Sequence, residues 1–300
     1  MSRLRALCSL SVVRTAAIVV ALAAASFPTA SRAQTDQAGS TLRIGGTGSA
    51  LGAMHLLAQA FMKTHPDVHV SILPSLGSGG GIKALAAGKI NIAVSARPLK
   101  DKERAMGIRA SEYARTPIVF ATRYDNMAES LALKQIEAAY SSEHANWPDG
   151  TQIRLILRPA TETDIELVRG MSPVMDEAVE AALKRSELYV AINDQDNATA
   201  LEKVPGSLGL TSLGQILTEN RRIKPLALDG VEGTPDALRS GSYPHAKVFY
   251  LVERSEPEPA ATAFAQFVRS TEGQAILVAN GHLTAGAAQA PVKTDMSVGQ

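Results

Sequence analysis

The stretch VHVSILPSLGSGGGIKALAAGKINIAVSARPLK, residues 68–100, decides the fold of this 300-residue chain. Two runs in it, VHVSIL (68–73) and INIAVSA (90–96), are rich in β-branched and apolar residues and are typical of buried strands. Between them GSGGG (77–81) leads into the apolar helical pattern IKALAAG (82–88). A strand, a helix and a second strand in this order predict a parallel βαβ unit.

The residues before this stretch add a second unit of the same kind. TLRI (41–44) predicts a strand, GGTGS (45–49) follows it, and from Leu51 to Phe61 apolar side chains recur at helical spacing until Pro66 ends the helix. The order βαβαβ predicts an α/β fold with a mostly parallel sheet. The loops at the carboxyl ends of its strands are expected to face one crevice.

The second half of the chain repeats this mixed character less regularly. TPIVFATR (116–123) and AKVFYLVE (246–253) predict strands, and residues 259–281 predict an amphipathic helix. The length allows one large domain or two medium ones, and no repeat at a solenoid period occurs. We expect the Ala- and Gly-rich tail, 285–300, to be disordered.

The first 33 residues have the features of a secretory signal. Three arginines lie within the first 14 residues, AAIVVALAAA (16–25) is a short apolar core, and SRA (31–33) ends in the small-x-small pattern that signal peptidase cuts. We expect export by the general route, cleavage after Ala33 and a periplasmic location. The only cysteine, Cys8, lies in this leader, so the mature chain is predicted to hold no disulfide, thiolate nucleophile or cysteine metal site.

The net charge limits the classes of partner. Removing the four arginines of the predicted leader leaves 26 basic against 29 acidic residues, a net charge of −3. So mild a charge argues against nucleic acid or an anionic membrane surface as the main partner.

Two glycine-rich segments, GGTGS (45–49) and GSGGG (77–81), each follow a predicted strand and precede a predicted helix. The first N–H groups of a helix lack partners inside the helix, and glycine lets a ligand approach the backbone. Two such helix ends beside one crevice predict an oxyanion site made of backbone amides and Ser or Thr hydroxyls. The alternative is that glycine only allows tight turns between strand and helix.

Two arginines follow predicted strands and suggest a clamp for the same anion. Arg97 comes after INIAVSA, and Arg158 ends TQIRLILR (151–158). A guanidinium fork suits a tetrahedral oxyanion. For Arg97 the alternative is a surface ion pair with Asp101 or Glu103.

Nucleotide and enzyme motifs are missing from the sequence. Neither glycine segment is followed by the Gly-Lys-Ser/Thr of a P-loop, and the glycines after TLRI miss the dinucleotide spacing. The six histidines show no His-Glu-x-x-His pattern, and no Gly-x-Ser-x-Gly occurs. We therefore expect no enzyme, no cofactor and no metal site.

At TGS (47–49), and again at SLGSGGGIKALAAGKINIAVSARPLKDKE (75–103), the chain resembles the phosphate-binding proteins of bacterial high-affinity phosphate ABC transporters and their broader PBP-like relatives. PGSLGLTSL (205–213) is similar too. The resemblance is specific over 41–105 and 200–283 and weak between them.

This resemblance implies a two-lobed periplasmic-binding-protein fold of type II, each lobe a mixed, mostly parallel sheet flanked by helices. It assigns residues 41–117 plus 246–284 to lobe one and 118–245 to lobe two. The ligand, an inorganic oxyanion with phosphate favoured, is expected to lie between the lobes. The implied partner is an inner-membrane ABC permease, and we expect a monomer.

The resemblance also implies a set of ligand-binding residues, with one departure. The family has Ser-Gly-Thr shortly after the lobe-two arginine, whereas this chain has TETD (161–164), and Ala96 stands where some members carry a proton-accepting aspartate. Asp164 is the candidate for that acceptor; alternatively, the acids of this segment indicate another ligand or none bound tightly. The matching positions are Thr47, Gly48, Ser49, Ser78, Gly79, Gly80, Ser95, Arg97, Arg158, Thr161, Thr163 and Asp164.

Two rival hypotheses come from other functional classes. A non-transport relative, acting as a sensor or an envelope interaction module, keeps the scaffold but has a degenerate ligand site. A secreted hydrolase is the third hypothesis.

Overall fold

The computed structural model describes residues 40–142 and 144–285, so the predicted leader and nearly all of the predicted tail lie outside the described residues. The strands are β1 (Ser40–Gly46), β2 (Val68–Ile72), β3 (Ile92–Ser95), β4 (Ile108–Arg123), β5 (Ser130–Leu131), β6 (Arg154–Leu157), β7 (Tyr189–Val190), β8 (Ser207–Ser212), β9 (Ile223–Pro225), β10 (Ala227–Leu228), β11 (Ala246–Arg254) and β12 (Leu283–Thr284). The helices are α1 (Leu51–Thr64), α2 (Gly77–Ala86), α3 (Asp101–Arg104), α4 (Leu133–Ser141), α5 (Thr163–Arg169), α6 (Pro173–Leu183), α7 (Asp194–Lys203), α8 (Leu213–Thr218), α9 (Pro235–Ser240), α10 (Pro259–Arg269) and α11 (Thr271–Ala279).

Ten of these strands form one mixed sheet in the order β2-β1-β3-β11-β4-β8-β6-β7, with β9 and β12 also paired to β4. β1 pairs in parallel with β2 and β3, and β6 pairs in parallel with β7 and β8. In the middle, β11 and β4 run antiparallel to their neighbours. The predicted βαβαβ unit and the α/β class are confirmed.

β4 is the element that joins the two parallel parts of the sheet. It is 16 residues long, whereas the sequence pattern predicted only its second half. Up to Pro117 it pairs with β11, and from Ile118 onward it pairs with β8. One uninterrupted strand therefore belongs to both parts.

The buried apolar side chains form separate clusters on the two sides of this junction. One cluster joins α1 and α10 to β1 and β2 and includes Phe61 and Phe264. Another joins α4 and α6 to β6 and β8 and includes Tyr140 and Trp147. Each parallel part of the sheet thus has its own core.

Two predicted elements differ in detail from the structure. The glycine run 77–81 is the first turn of α2 rather than a loop, because the helix packs so closely on β1 that a Cβ on Gly81 would lie 2.7 Å from Cα of Gly46. The single helix predicted over 259–281 is two helices in the structure. The break lies at Ser270, whose hydroxyl accepts a hydrogen bond from the Gly273 amide and caps the start of α11. No helix among the described residues is long and apolar enough to span a membrane.

Gly46 ends β1 in a conformation that other residues disfavour, and this generates a stability prediction. Its φ is +145°, and an added Cβ would lie 2.0 Å from the carbonyl oxygen of Val94 on β3. We expect Gly46→Ala to lower the free energy of unfolding by about 3 kcal/mol, since it adds backbone strain and a steric clash. Urea denaturation of both chains measures the change.

Gly170→Ala is the matched control, because the nearest atom to its added Cβ lies 3.5 Å away. Its unfolding midpoint should stay close to that of the unmodified chain. Equal stability of the two variants would contradict the close approach of β1 to β3.

Candidate functional site

Four charged side chains meet in the protein interior, and we call them the buried charge cluster: Arg158, Asp164, Asp194 and Lys247. None of them is more than 5% exposed. Arg158 follows β6, Asp164 lies in the first turn of α5, Asp194 begins α7, and Lys247 is the second residue of β11. Charged groups are rarely buried to this extent unless they are paired or functional.

Lys247 is the centre of the cluster. Its ammonium forms an ion pair with the Asp164 carboxylate, donates to Ser49 Oγ over 3.3 Å, and lies 3.7 Å from Asp194 Oδ1. Ser49 Oγ is in turn 3.4 Å from Thr47 Oγ1. The hydroxyls of the first glycine segment therefore reach the same point as the charged groups of α5 and α7.

Arg158 lies on the other side of the two carboxylates. Its Nη1 donates to the carbonyl oxygen of Ala191 over 2.6 Å, and its Nη2 donates to Glu162 over 3.3 Å. Its Nε is 3.8 Å from Asp164 Oδ2 and is a buried donor without a hydrogen bond. A buried donor of this kind marks a position where a further acceptor could bind.

The charges in the cluster compensate one another. Burial alone lowers the pKa of Lys247, but the Asp164 and Asp194 carboxylates outweigh it and keep the pKa above its ordinary value. Burial also raises the pKa of the half-buried Glu162, against the effect of Arg158. Two cations thus face two buried carboxylates, and no excess positive charge is left in the interior.

Gly48 allows the turn before α1 to contact α7. The side chain of Gln195 donates to the Gly48 carbonyl over 3.0 Å, and a Cβ on Gly48 would lie 2.7 Å from Asp194 Oδ2. Only glycine fits this approach, which brings the hydroxyls of GGTGS to the cluster.

A second group of predicted residues lies at the carboxyl end of β3 and at the beginning of α2. Ser78 Oγ accepts the Ala96 amide over 3.0 Å, and Ser95 Oγ donates to the Arg97 carbonyl over 2.7 Å. Both terminal nitrogens of Arg97 donate to the Glu103 carboxylate, each over 2.8 Å. The ion-pair alternative for Arg97 is therefore the observed arrangement.

The structure brings some predicted site residues together and leaves others apart. Thr47, Ser49, Arg158 and Asp164 contact the buried charge cluster or belong to it, and Gly48 adjoins it. Of the remaining positions, Gly80 and Thr161 are exposed, Gly79 and Thr163 are half-buried, and Ser95 is buried at the end of β3.

Sequence reasoning missed Lys247, Asp194 and Gln195. Lys247 is predicted only as part of the strand AKVFYLVE, and the polar run NDQDN (193–197) carries no prediction. The available signal is that this polar run directly follows LYVAI (188–192), which fits a strand or the end of a helix, at the edge where a crevice is expected.

A cavity of about 610 Å³ adjoins this region between α1, the residues after β2 and the start of α7. Leu51, Ile72 and Pro74 give it an apolar side, and Gln195 and Glu219 give it a polar one. Gln195 also contacts Gly48, so the cavity lies next to the buried charge cluster. No group of three metal-ligating side chains occurs among the described residues.

Comparison with known protein families identifies the family of this chain. Residues 31–272 match the model of a PBP superfamily domain, which is most of the chain. The chain belongs to the PBP superfamily. This membership agrees with the prediction that the chain is not an enzyme.

Relatives of this PBP chain include phosphate-binding proteins. The phosphate-binding protein PstS 2 of Streptococcus agalactiae is 34% identical over 86 residues, a match that spans only 28% of this chain and 28% of that protein. A putative phosphate ABC transporter substrate-binding protein with bound phosphate from Clostridium perfringens superposes with a TM-score of 0.69 and 23% identity, over 81% of this chain and 99% of that one. An ABC-type phosphate transport receptor from Vibrio cholerae superposes with a TM-score of 0.57 and 19% identity, over 81% of this chain and 99% of that one. The two structural likenesses establish the fold.

The Arg97–Glu103 pair of the PBP domain generates a prediction for acid stability. Hydrogen bonds from Arg97 lower the pKa of Glu103 from 4.5 to about 2, although burial raises it. Because the folded-state pKa is the lower one, the stabilisation is complete above pH 4.5 and is lost as the pH falls toward 2. We expect Glu103→Gln to reduce the free energy of unfolding by about 2–3 kcal/mol at pH 7.

Urea unfolding curves between pH 2 and pH 7 measure this effect. The difference between Glu103→Gln and the unmodified chain should shrink steadily below pH 4.5, whereas the exposed Glu256→Gln should show no such trend. A pH-independent difference would mean that Glu103 stabilises the fold by packing alone.

Proposed function

We propose that this chain is a solute-binding protein that captures an inorganic oxyanion, most readily phosphate, for uptake by an ABC transporter. The observation that carries the proposal is the convergence of Lys247 and Arg158 with the hydroxyls of Thr47 and Ser49 in a buried site. Ammonium, guanidinium and hydroxyl donors together are the groups that bind tetrahedral oxyanions in proteins.

The proposed ligand lies between two lobes, 41–117 plus 246–284 and 118–245. The pairing of β4 supports this division, since its partner changes from β11 to β8 between Pro117 and Ile118. The separate apolar clusters on either side support it too. Groups from both lobes would then contact the ligand only when the lobes are closed, so that binding favours closure.

The carboxylates of the cluster define which form of the anion is accepted. Asp164 and Asp194 would repel a fully ionised anion at this distance, but each can accept a hydrogen bond from a protonated phosphate oxygen. The proposed ligand is therefore the singly charged form of phosphate, which carries two protons. Sulfate, which carries none at neutral pH, is expected to be rejected.

The part played by the other predicted residues stays a prediction. Ser78, Ser95 and Arg97 already have partners within the protein, and an anion could reach them only beside the pairs described above. The positions left as predictions are Ser78, Gly79, Gly80, Ser95, Arg97, Thr161 and Thr163.

The proposed place of action is the periplasm, and the proposed partner is an inner-membrane ABC permease. The predicted signal sequence supports the location. The likeness to the putative phosphate ABC transporter substrate-binding protein of C. perfringens and the phosphate transport receptor of V. cholerae supports the transport role. The proposal includes a monomer with no nucleic-acid partner and no chemistry on the ligand.

Isothermal titration of the exported chain with phosphate, sulfate, molybdate and a phosphonate tests the function. We expect phosphate to bind at least about 100-fold more tightly than sulfate, because one unpaired charge contact costs about 3 kcal/mol. Phosphate affinity should fall as the pH rises through the second ionisation of phosphate, since the singly charged form becomes scarce. Absence of heat with every anion would overturn the proposal.

Lys247→Met tests the site itself. We expect it to weaken phosphate binding about 10- to 100-fold, as for the loss of one charged hydrogen bond. The exposed Lys89→Met should bind like the unmodified chain, and circular dichroism checks that both variants are folded. Full affinity in Lys247→Met would move the phosphate site away from the buried charge cluster.

A further inference from the structure

Lys247 already has carboxylate partners within the buried charge cluster. The Asp164 carboxylate already pairs with the Lys247 ammonium, and Asp194 lies 3.7 Å from the same nitrogen. Ser49 also contacts this nitrogen. A carboxylate of the chain therefore occupies the position on Lys247 that an oxyanion ligand would need.

We propose that Asp164 is an internal ligand of the cleft, which holds the two lobes together in the empty protein and which a solute must displace from Lys247. The inference rests on the proposed function and its two lobes. Asp164 belongs to α5 in lobe two, and Lys247 lies on β11 in lobe one. Their ion pair thus crosses the boundary between the lobes.

The burial of the pair makes it effective in this role. Asp164 and Lys247 are 4% and 3% exposed, so water and salt screen their attraction far less than that of a surface pair. Separating the lobes hydrates both groups again. The pair therefore contributes to closure only when the lobes are together.

Two further contacts between protein groups cross the same boundary. Gln195 on α7 donates to the carbonyl oxygen of Gly48, and the Asp194 side chain contacts the same residue. A closed cleft in most binding proteins requires a solute to bridge the lobes. Here Asp164, Asp194 and Gln195 provide the bridge.

A bound solute must then compete with Asp164. The measured affinity of a ligand is reduced by the fraction of molecules that are competent to bind it. While it is paired with Lys247, Asp164 lowers the affinity for any anion and restricts the cleft to anions that can displace a carboxylate. Once displaced, the same carboxylate can still accept a hydrogen bond from a protonated anion. Asp164 is a specificity-determining residue of the cleft.

Distance measurement between the lobes, with no anion present, tests the internal ligand. Spin labels at Lys63→Cys on α1 and Lys203→Cys on α7, both exposed, report the separation by pulsed electron resonance. Cys8→Ser leaves no other cysteine. We expect Asp164→Asn to lengthen and broaden the distance distribution relative to the labelled parent, and Asp176→Asn, which alters an exposed ion pair within α5 and α6, to leave it unchanged.

The double variant Asp164→Asn with Lys247→Met guards against a folding defect, because it leaves no unpaired buried lysine. It should open the empty protein as Asp164→Asn does. If both variants keep the parent distance, Asp164 does not hold the lobes together and the proposal is overturned.

Phosphate titration of the same chains separates this inference from the proposed function. We expect Asp164→Asn to bind phosphate about tenfold more tightly than the parent, as when the self-paired form holds about nine-tenths of the molecules. Unchanged or weaker binding by Asp164→Asn would overturn the competition. If neither the parent chain nor the variants bind phosphate, the proposed function is overturned. The distance measurement would still decide whether Asp164 holds the empty cleft closed.

Discussion

The burial of the Lys247 ammonium is the constraint on which the rest of the site depends. Lys247 is the second residue of β11, and it is only 3% exposed. An ammonium in such a place is strongly destabilising unless opposite charge and hydrogen-bond acceptors surround it. The chain meets this requirement from three directions, with Asp164, Asp194 and Ser49.

Because each buried cation needs a negatively charged partner, that partner can be either a carboxylate of the chain or a bound oxyanion. A buried carboxylate and a tetrahedral oxyanion offer a cation the same kind of oxygen at a similar distance. Which one occupies Lys247 depends on the balance between the cost of moving Asp164 and the contacts that the solute makes with both lobes. The interior stays electrically neutral when a singly charged solute replaces Asp164 beside Lys247, because the solute carries the same charge as the carboxylate.

Much of the fold could be predicted from the sequence, because alternation of strand, glycine segment and helix is a local pattern. The same pattern predicts that Thr47, Ser49 and Arg158 lie near one another, since residues at the carboxyl ends of parallel strands share one edge of the sheet. Lys247 could not be found, because a single lysine in AKVFYLVE fits a solvent-facing strand position as well as a buried one. Its burial is decided by contacts with Ser49, Asp164 and Asp194, which are all more than 50 positions away in the sequence.

Two further features could not be predicted from local sequence patterns. The glycine run 77–81 has low intrinsic helix propensity, yet close packing against β1 makes it the first turn of α2. For Arg97 the sequence left an anion clamp and an ion pair equally open. In the structure Arg97 forms the ion pair, and the Glu103 carboxylate accepts hydrogen bonds from both terminal nitrogens of Arg97 and from the Lys100 amide that begins α3.

The shared strand β4 has a consequence for how this protein can evolve. Successive side chains of a strand point to opposite faces, so insertion or deletion of one residue reverses every position beyond it. In β4 such a change would turn the residues of one half toward the wrong layer while those of the other half stayed in place. Loops elsewhere in the chain can gain or lose residues singly, but the length of β4 between Ile108 and Arg123 is fixed by two hydrophobic cores at once.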